Sequence, residues 1–88
     1  MYNYDAEKKL LEILGTVLRA DDADMRDAVI TYLAMTEVRG AASLIDEYID
    51  DEHIGWLREY AARVRDHLHA RELGKTSQPP AKPHKTTF

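Results

Sequence analysis

The chain has 88 residues, no cysteine and a formal net charge of −4 at pH 7. A chain of this length forms one small domain that buries only about 60–65% of its unfolded surface, which leaves little volume for a deep cleft. The lack of cysteine excludes disulfides, thiolate chemistry and zinc–sulfur sites.

Charge is distributed unevenly along the chain. Residues 1–57 contain thirteen acidic against five basic residues, whereas residues 58–88 contain three against seven. Phosphate neutralisation dominates affinity for nucleic acid, so the acidic part is unsuited to binding a duplex. The N-terminus has no basic stretch followed by an apolar run, and the apolar stretch at residues 28–35 is too short to cross a bilayer. We therefore expect a soluble, cytoplasmic protein with no membrane insertion and no direct contact with nucleic acid.

The first predicted helix begins at Asn3 or Asp5 and runs to about Arg19. Its apolar residues recur at spacings of three and four, which is typical of a helix with one buried face. These residues are Leu10, Ile13, Leu14, Val17 and Leu18.

The second predicted helix follows a run of aspartates, of which Asp21 or Asp22 is expected to accept hydrogen bonds from the free amides of its first turn. Apolar residues cover most of its circumference, so this helix is predicted to be central. Gly40 is expected to end it in a left-handed conformation. The helical stripe comprises Met25, Ala28, Val29, Tyr32, Leu33 and Thr36, with Ile30, Ala34 and Val38 beside it.

A short third helix is predicted to begin at Ser43, with Asp46 or Glu47 completing a capping box. Asp50 or Asp51 is then expected to cap a fourth helix, which runs to about Glu72 and stops at Gly74. The apolar residues of the third helix are expected to face inward, and those of the fourth form a narrow seam with 3-4-3-4 spacing. They are Leu44, Ile45, Tyr48 and Ile49, followed by Ile54, Leu57, Ala61, Val64 and Leu68.

Strand and hairpin signals are absent from the sequence. The fold class is therefore all-α: a small bundle of three long helices and one short helix over residues 1–74. Residues 75–88 contain all three prolines and several basic residues, so this stretch is expected to be a disordered tail.

Five carboxylates fall within residues 46–52, and four of them share the outer face of the predicted third helix. Like charges at this spacing cost helix stability, and a protein tolerates that cost for solubility, for the positive end of the next helix or for the docking of a basic partner. A calcium loop would need alternating oxygen ligands and a glycine at its turn, and this segment has neither. The candidate docking residues are Asp46, Glu47, Asp50 and Asp51.

Two aromatic residues, Trp56 and Tyr60, lie four positions apart on a flank of the fourth helix, roughly 100° from its apolar seam. Exposed aromatics beside charges are typical of the hot spots of protein interfaces. The alternative is that the first or third helix covers this flank.

Metal, catalytic and DNA-binding sites find little support in the sequence. His67 and His69 point in different directions on a helix, so no metal or other cofactor is expected. The two serines, Ser43 and Ser77, are read as a helix cap and a tail residue, and no enzyme activity is expected. Residues 38–43 resemble the turn of a helix-turn-helix, but the helix that would read the groove is acidic and lacks base-reading side chains.

We expect a non-catalytic module that docks on a larger protein with a basic surface and inhibits or regulates it. In size and composition the chain is similar to inhibitors encoded by phages and mobile elements and to antitoxins, although this similarity rests on no motif. The alternative is a self-assembling helical homodimer, formed through the seam of the fourth helix or through the flank of Trp56.

Overall fold

The computed structural model describes residues 4–75 and 78–83. These residues form four α-helices and no strand, which confirms the prediction of an all-α bundle. Helices α1, α2 and α4 have 15, 13 and 18 residues, and α3 has 9. The bounds are α1 Tyr4–Leu18, α2 Ala23–Met35, α3 Ala41–Ile49 and α4 Gly55–Glu72.

The core lies where α4 packs against α2 and α3, and α1 covers α2 and α3 from the other side. The predicted seam of α4 faces this core, since four of its five residues are at most 2% exposed. Burial of this seam within one chain follows from its narrow apolar spacing, which suits close helix packing. The largest fully buried side chains are Ile30, Leu33, Ile45, Leu57, Leu68 and Val64.

Asp22 precedes α2 in an extended conformation and caps it. Its Oδ1 atom accepts hydrogen bonds from the backbone amides of Asp24 and Met25, at 3.0 and 3.3 Å. These amides are two of the four at a helix start that have no partner inside the helix, which is why a short acceptor is favoured there. The predicted cap is confirmed.

The connection between α2 and α3 differs from the prediction. Helix α2 ends at Met35, because Thr36 turns to an extended conformation while its hydroxyl donates to the Tyr32 carbonyl at 2.7 Å. Gly40 has a φ of 82° and stands directly before α3, so it begins that helix and does not end α2. Ser43 is the third residue of α3, and the predicted capping box is therefore wrong.

The start of α4 also differs from the prediction, whereas its end agrees. Ile54 occupies the cap position, and Glu52 is the carboxylate that accepts from the Ile54 amide, at 3.2 Å. Capping by Asp50 or Asp51 is therefore wrong. At the other end Gly74 has a φ of 78°, and the amides of Gly74 and Lys75 bond back to α4 at 3.0 and 2.9 Å. This is the Schellman arrangement expected of a terminal glycine.

Residues 78–83, which belong to the predicted disordered tail, adopt neither helix nor strand. Within residues 4–75 and 78–83, no helix is both long enough and apolar enough to cross a membrane.

Candidate functional site

The four carboxylates of the predicted docking face all lie at the surface, on α3 and the turn after it. Two of them lie beside cations of α4, since Arg65 approaches Asp46 to 3.3 Å and Arg58 approaches Asp50 to 3.7 Å. In the described part of the chain, Glu47 and Asp51 make no ion pair. We refer to Asp46, Glu47, Asp50 and Asp51 as the acidic face.

Glu52, the fifth carboxylate of this segment, is buried and belongs to a polar network inside the bundle. Arg26 binds it through two hydrogen bonds, at 2.8 Å from Nε and 3.1 Å from Nη2. Tyr48 donates to the same carboxylate at 3.3 Å, and the amide of Ile54 donates at 3.2 Å. Arg26 also donates to the Ala20 carbonyl at 2.6 Å. Each polar group of the network therefore has a partner, as burial of charges requires.

The network shifts the protonation of its members. The hydrogen bond to Glu52 raises the pKa of Arg26, and burial opposes this effect. Burial acts to raise the pKa of Glu52, but the hydrogen bonds from Arg26 and the Ile54 amide outweigh it, so this pKa lies below its ordinary value. Burial and the neighbouring Glu52 charge raise the pKa of Tyr48 far above its ordinary value. Glu52 is therefore ionised and Tyr48 neutral at physiological pH.

The network joins the turn before α2 to the turn before α4. Arg26 reaches the first turn at Ala20, and Glu52 and Ile54 belong to the second. Residues of the network line a hollow of about 180 Å³, together with Asp21 and Asp51. Because the hydrogen bonds of Glu52 hold the turn after α3, the backbone that carries Asp50 and Asp51 has a well-defined position.

The two predicted aromatic contact residues have different environments. Tyr60 is only 3% exposed, and its hydroxyl lies 2.9 Å from Thr31 Oγ1 on α2. Tyr60 is therefore buried in the folded chain, although its hydroxyl contacts α2 and not the first or third helix of the predicted alternative. A role of Tyr60 in binding a partner stays a prediction. Trp56 is half-buried against the core. Its role in binding a partner stays a prediction.

The histidines do not converge. His67 is buried, His53 is exposed, and His69 lies beside Asp46 at 3.6 Å and Glu72 at 3.8 Å. Among the described residues, no group of three or more potential ligands could hold a metal ion. His84 lies outside these residues.

Sequence reasoning missed Arg26, Asp27 and Lys82. Arg26 and Asp27 are buried, and Lys82 lies 3.1 Å from the Asp27 carboxylate. A signal for Arg26 was present, because residues three, four and seven positions later are the buried Val29, Ile30 and Leu33. A charge inside an apolar stripe needs a buried partner of opposite charge, so this pattern indicates a buried ion pair.

Comparisons of this chain with protein-family models, with curated proteins and with solved structures found no match.

Proposed function

We propose that this protein is a non-catalytic binding module that docks through its acidic face on a basic surface of a larger protein. Complementary charge accelerates encounter and fixes orientation, while packed neighbours supply most of the affinity. A rigid module on a basic surface excludes other ligands of that surface, and inhibition or regulation follows from this occlusion.

The observation that carries the proposal is the different burial of the five carboxylates of residues 46–52. Glu52 is buried and bound twice by Arg26, whereas the other four are exposed. The buried carboxylate anchors the turn that carries Asp50 and Asp51, and Asp46 and Glu47 lie on α3 just before it. Exposed like charges repel one another, so their concentration beside an anchored turn favours a role outside the bundle.

The test uses the partner itself, captured from extracts of the source cells with the wild-type chain and identified by mass spectrometry. The test variant replaces the acidic face by Asp46→Asn, Glu47→Gln, Asp50→Asn and Asp51→Asn. A matched control makes the same change of four charges on other faces of the bundle. It carries Asp5→Asn, Asp24→Asn, Glu37→Gln and Glu72→Gln, all at exposed residues.

Association rates are measured at low and at physiological salt. We expect the test variant to associate about tenfold or more slowly at low salt, and the control to keep a rate close to that of the wild type. Equal slowing in both variants would show that the association rate depends only on the net charge of the chain. The acidic face would then have no specific role in docking.

A second candidate function is self-association, although not through the predicted seam, which is buried in the single chain. The observation that favours it is a set of exposed apolar residues on α2, with Met25, Tyr32 and Met35 exposed by 49%, 43% and 72%. Their spacing of seven and three residues places them along one side of the helix. Sedimentation of the wild type and of Met35→Glu at micromolar concentration tests this candidate. A wild-type monomer would rule it out.

A further inference from the structure

The chain's own tail contacts α2 and α4 through Ala81 and Lys82. The ammonium group of Lys82 lies 3.1 Å from Asp27 Oδ2 on α2 and 5.8 Å from the centre of the Tyr60 ring on α4. One residue earlier, the Ala81 carbonyl accepts a hydrogen bond of 3.5 Å from Arg63. The tail is therefore held by a carboxylate, an aromatic face and a backbone contact.

The bundle supplies the binding groups, and the tail supplies only the cation. The side chain of Asp27 is 10% exposed, whereas that of Lys82 is 42% exposed. Thr31 lies between the two binding groups, because its hydroxyl is 3.5 Å from Asp27 Oδ1 and 2.9 Å from the Tyr60 hydroxyl. The carboxylate and the ring are thus positioned by contacts between two packed helices. A primary ammonium group suits this arrangement, since it binds a carboxylate and is attracted to an aromatic face.

The contacts that hold the tail are those of a replaceable ligand. An ion pair with a half-exposed lysine contributes little stability, and the hydrogen bond to Ala81 is at the long end of the range. Proline at positions 79, 80 and 83 restricts the segment to extended conformations, which lowers the entropy lost on docking. A lysine of another extended segment fits the same groups, because Asp27 supplies the opposite charge and Tyr60 the aromatic face.

We propose that Asp27 and Tyr60 form a lysine-binding site, which the tail occupies through Lys82 until an extended, lysine-bearing segment of the partner protein displaces it. The partner in this statement rests on the function proposed above, whereas the lysine site itself does not. The tail then acts as an internal competitor, present at an effective concentration on the order of millimolar. The apparent affinity of this site for a partner segment therefore falls as the fraction of molecules with a docked tail rises.

The probe is a peptide with the sequence of residues 78–83, acetylated and amidated so that its ends carry no charge. A matched peptide has alanine in place of the lysine. Both are titrated into the full-length wild-type chain, into Lys82→Ala, and into Lys75→Ala as a control on another tail lysine. Amide chemical shifts of Asp27, Thr31 and Tyr60 report binding.

We expect the lysine peptide to bind the Lys82→Ala chain about three- to fivefold more tightly than the wild type or Lys75→Ala, because the competing tail has lost its cation. The alanine peptide should bind the same Lys82→Ala chain about three- to fivefold more weakly than the lysine peptide. Adding Asp27→Asn to Lys82→Ala should also weaken the lysine peptide, with circular dichroism confirming the helices. The peptide comparison keeps the test decisive should that double variant fail to fold.

Three results would overturn the proposal. Equal binding of the two peptides would show that the site recognises the prolines of the peptide and not its lysine. Equal binding to the wild type and to Lys82→Ala would show that the tail does not compete. A concentration-dependent wild-type dimer that Lys82→Ala abolishes would assign the site to a second copy of this chain. If the peptides behave as expected while loss of the acidic face leaves partner association unchanged, the lysine site stands and the docking function proposed above fails.

Discussion

Arg26 and Glu52 are 26 positions apart in the chain, yet their side chains form two hydrogen bonds of 2.8 and 3.1 Å and are at most 5% exposed. The guanidinium fork matches a carboxylate in this paired geometry. The pair joins the start of α2 to the turn before α4, so the position of the acidic face depends on it. Burying two charges is costly, and a protein that does so depends strongly on both partners.

Removal of one partner should therefore lower the stability of the fold strongly. We expect Glu52→Ala to lower the free energy of unfolding by about 3–5 kcal/mol, because Arg26 keeps its charge in a buried site without its counter-ion. Urea denaturation measures the change. Glu47→Ala is the control, since Glu47 is an exposed acid of the same segment and should change the free energy by no more than about 0.5 kcal/mol.

The cause is tested by removing both charges together. The double variant Arg26→Met, Glu52→Leu should be more stable than Glu52→Ala, because no buried charge is left without a partner. A double variant as unstable as Glu52→Ala would place the loss in packing or in the hydrogen bonds to Tyr48 and Ile54.

The same pair should make the free energy of unfolding depend on pH in the acidic range. The pKa of Glu52 is lower in the folded state, so the unfolded state binds more protons as the pH falls. The contribution of Glu52 is then fully present above its unfolded pKa and is lost as the pH falls through the folded pKa. We expect the free energy of unfolding to fall more steeply between about pH 5 and pH 3 in the wild type than in Arg26→Met, Glu52→Leu. Urea denaturation at several pH values measures both slopes, and equal slopes would contradict the assignment to this pair.

The helices could be predicted from the sequence because their signals are local. Apolar spacing marks α1 and α4, the aspartate before α2 supplies its cap, and Gly74 supplies the left-handed residue that ends α4. The end of α2 was missed because Val38 continues the apolar pattern beyond Thr36, where the backbone has already left the helix. Periodicity reports which residues are buried, but it does not report where the hydrogen bonds stop.

The candidate site was less predictable because its decisive contacts join distant parts of the chain. Within residues 46–52, Glu52 looks like its four acidic neighbours, and only its partner on α2 distinguishes it. The contact of Lys82 with Asp27 spans 55 positions. Composition indicated an acidic bundle and a basic tail, but it could not show that the tail returns to contact α2 and α4.

The cap of α2 offers a local test with a matched control. Asp22 accepts hydrogen bonds from two amides of the first turn, whereas its neighbour Asp21 is an exposed acid just before the cap position. We expect Asp22→Ala to lower the free energy of unfolding by about 1 kcal/mol, and Asp21→Ala to change it by less than about 0.5 kcal/mol. Thermal or urea denaturation of both variants checks this. Equal losses would mean that charge near the helix end matters more than the hydrogen bonds.

Alanine substitutions at three glycines distinguish the cost of backbone strain from that of steric contact. Gly40 and Gly74 have φ values of 82° and 78°, and an added Cβ at Gly40 would also meet Leu11 Cδ1 at 3.3 Å. We expect Gly74→Ala to cost about 1–2 kcal/mol from strain, and Gly40→Ala to cost at least as much. Gly55 begins α4 without positive φ or a neighbour within 4 Å, so Gly55→Ala should stabilise the fold by about 0.4–1 kcal/mol. Urea denaturation ranks the three variants, and a Gly40→Ala chain more stable than Gly74→Ala would show that Leu11 yields without cost.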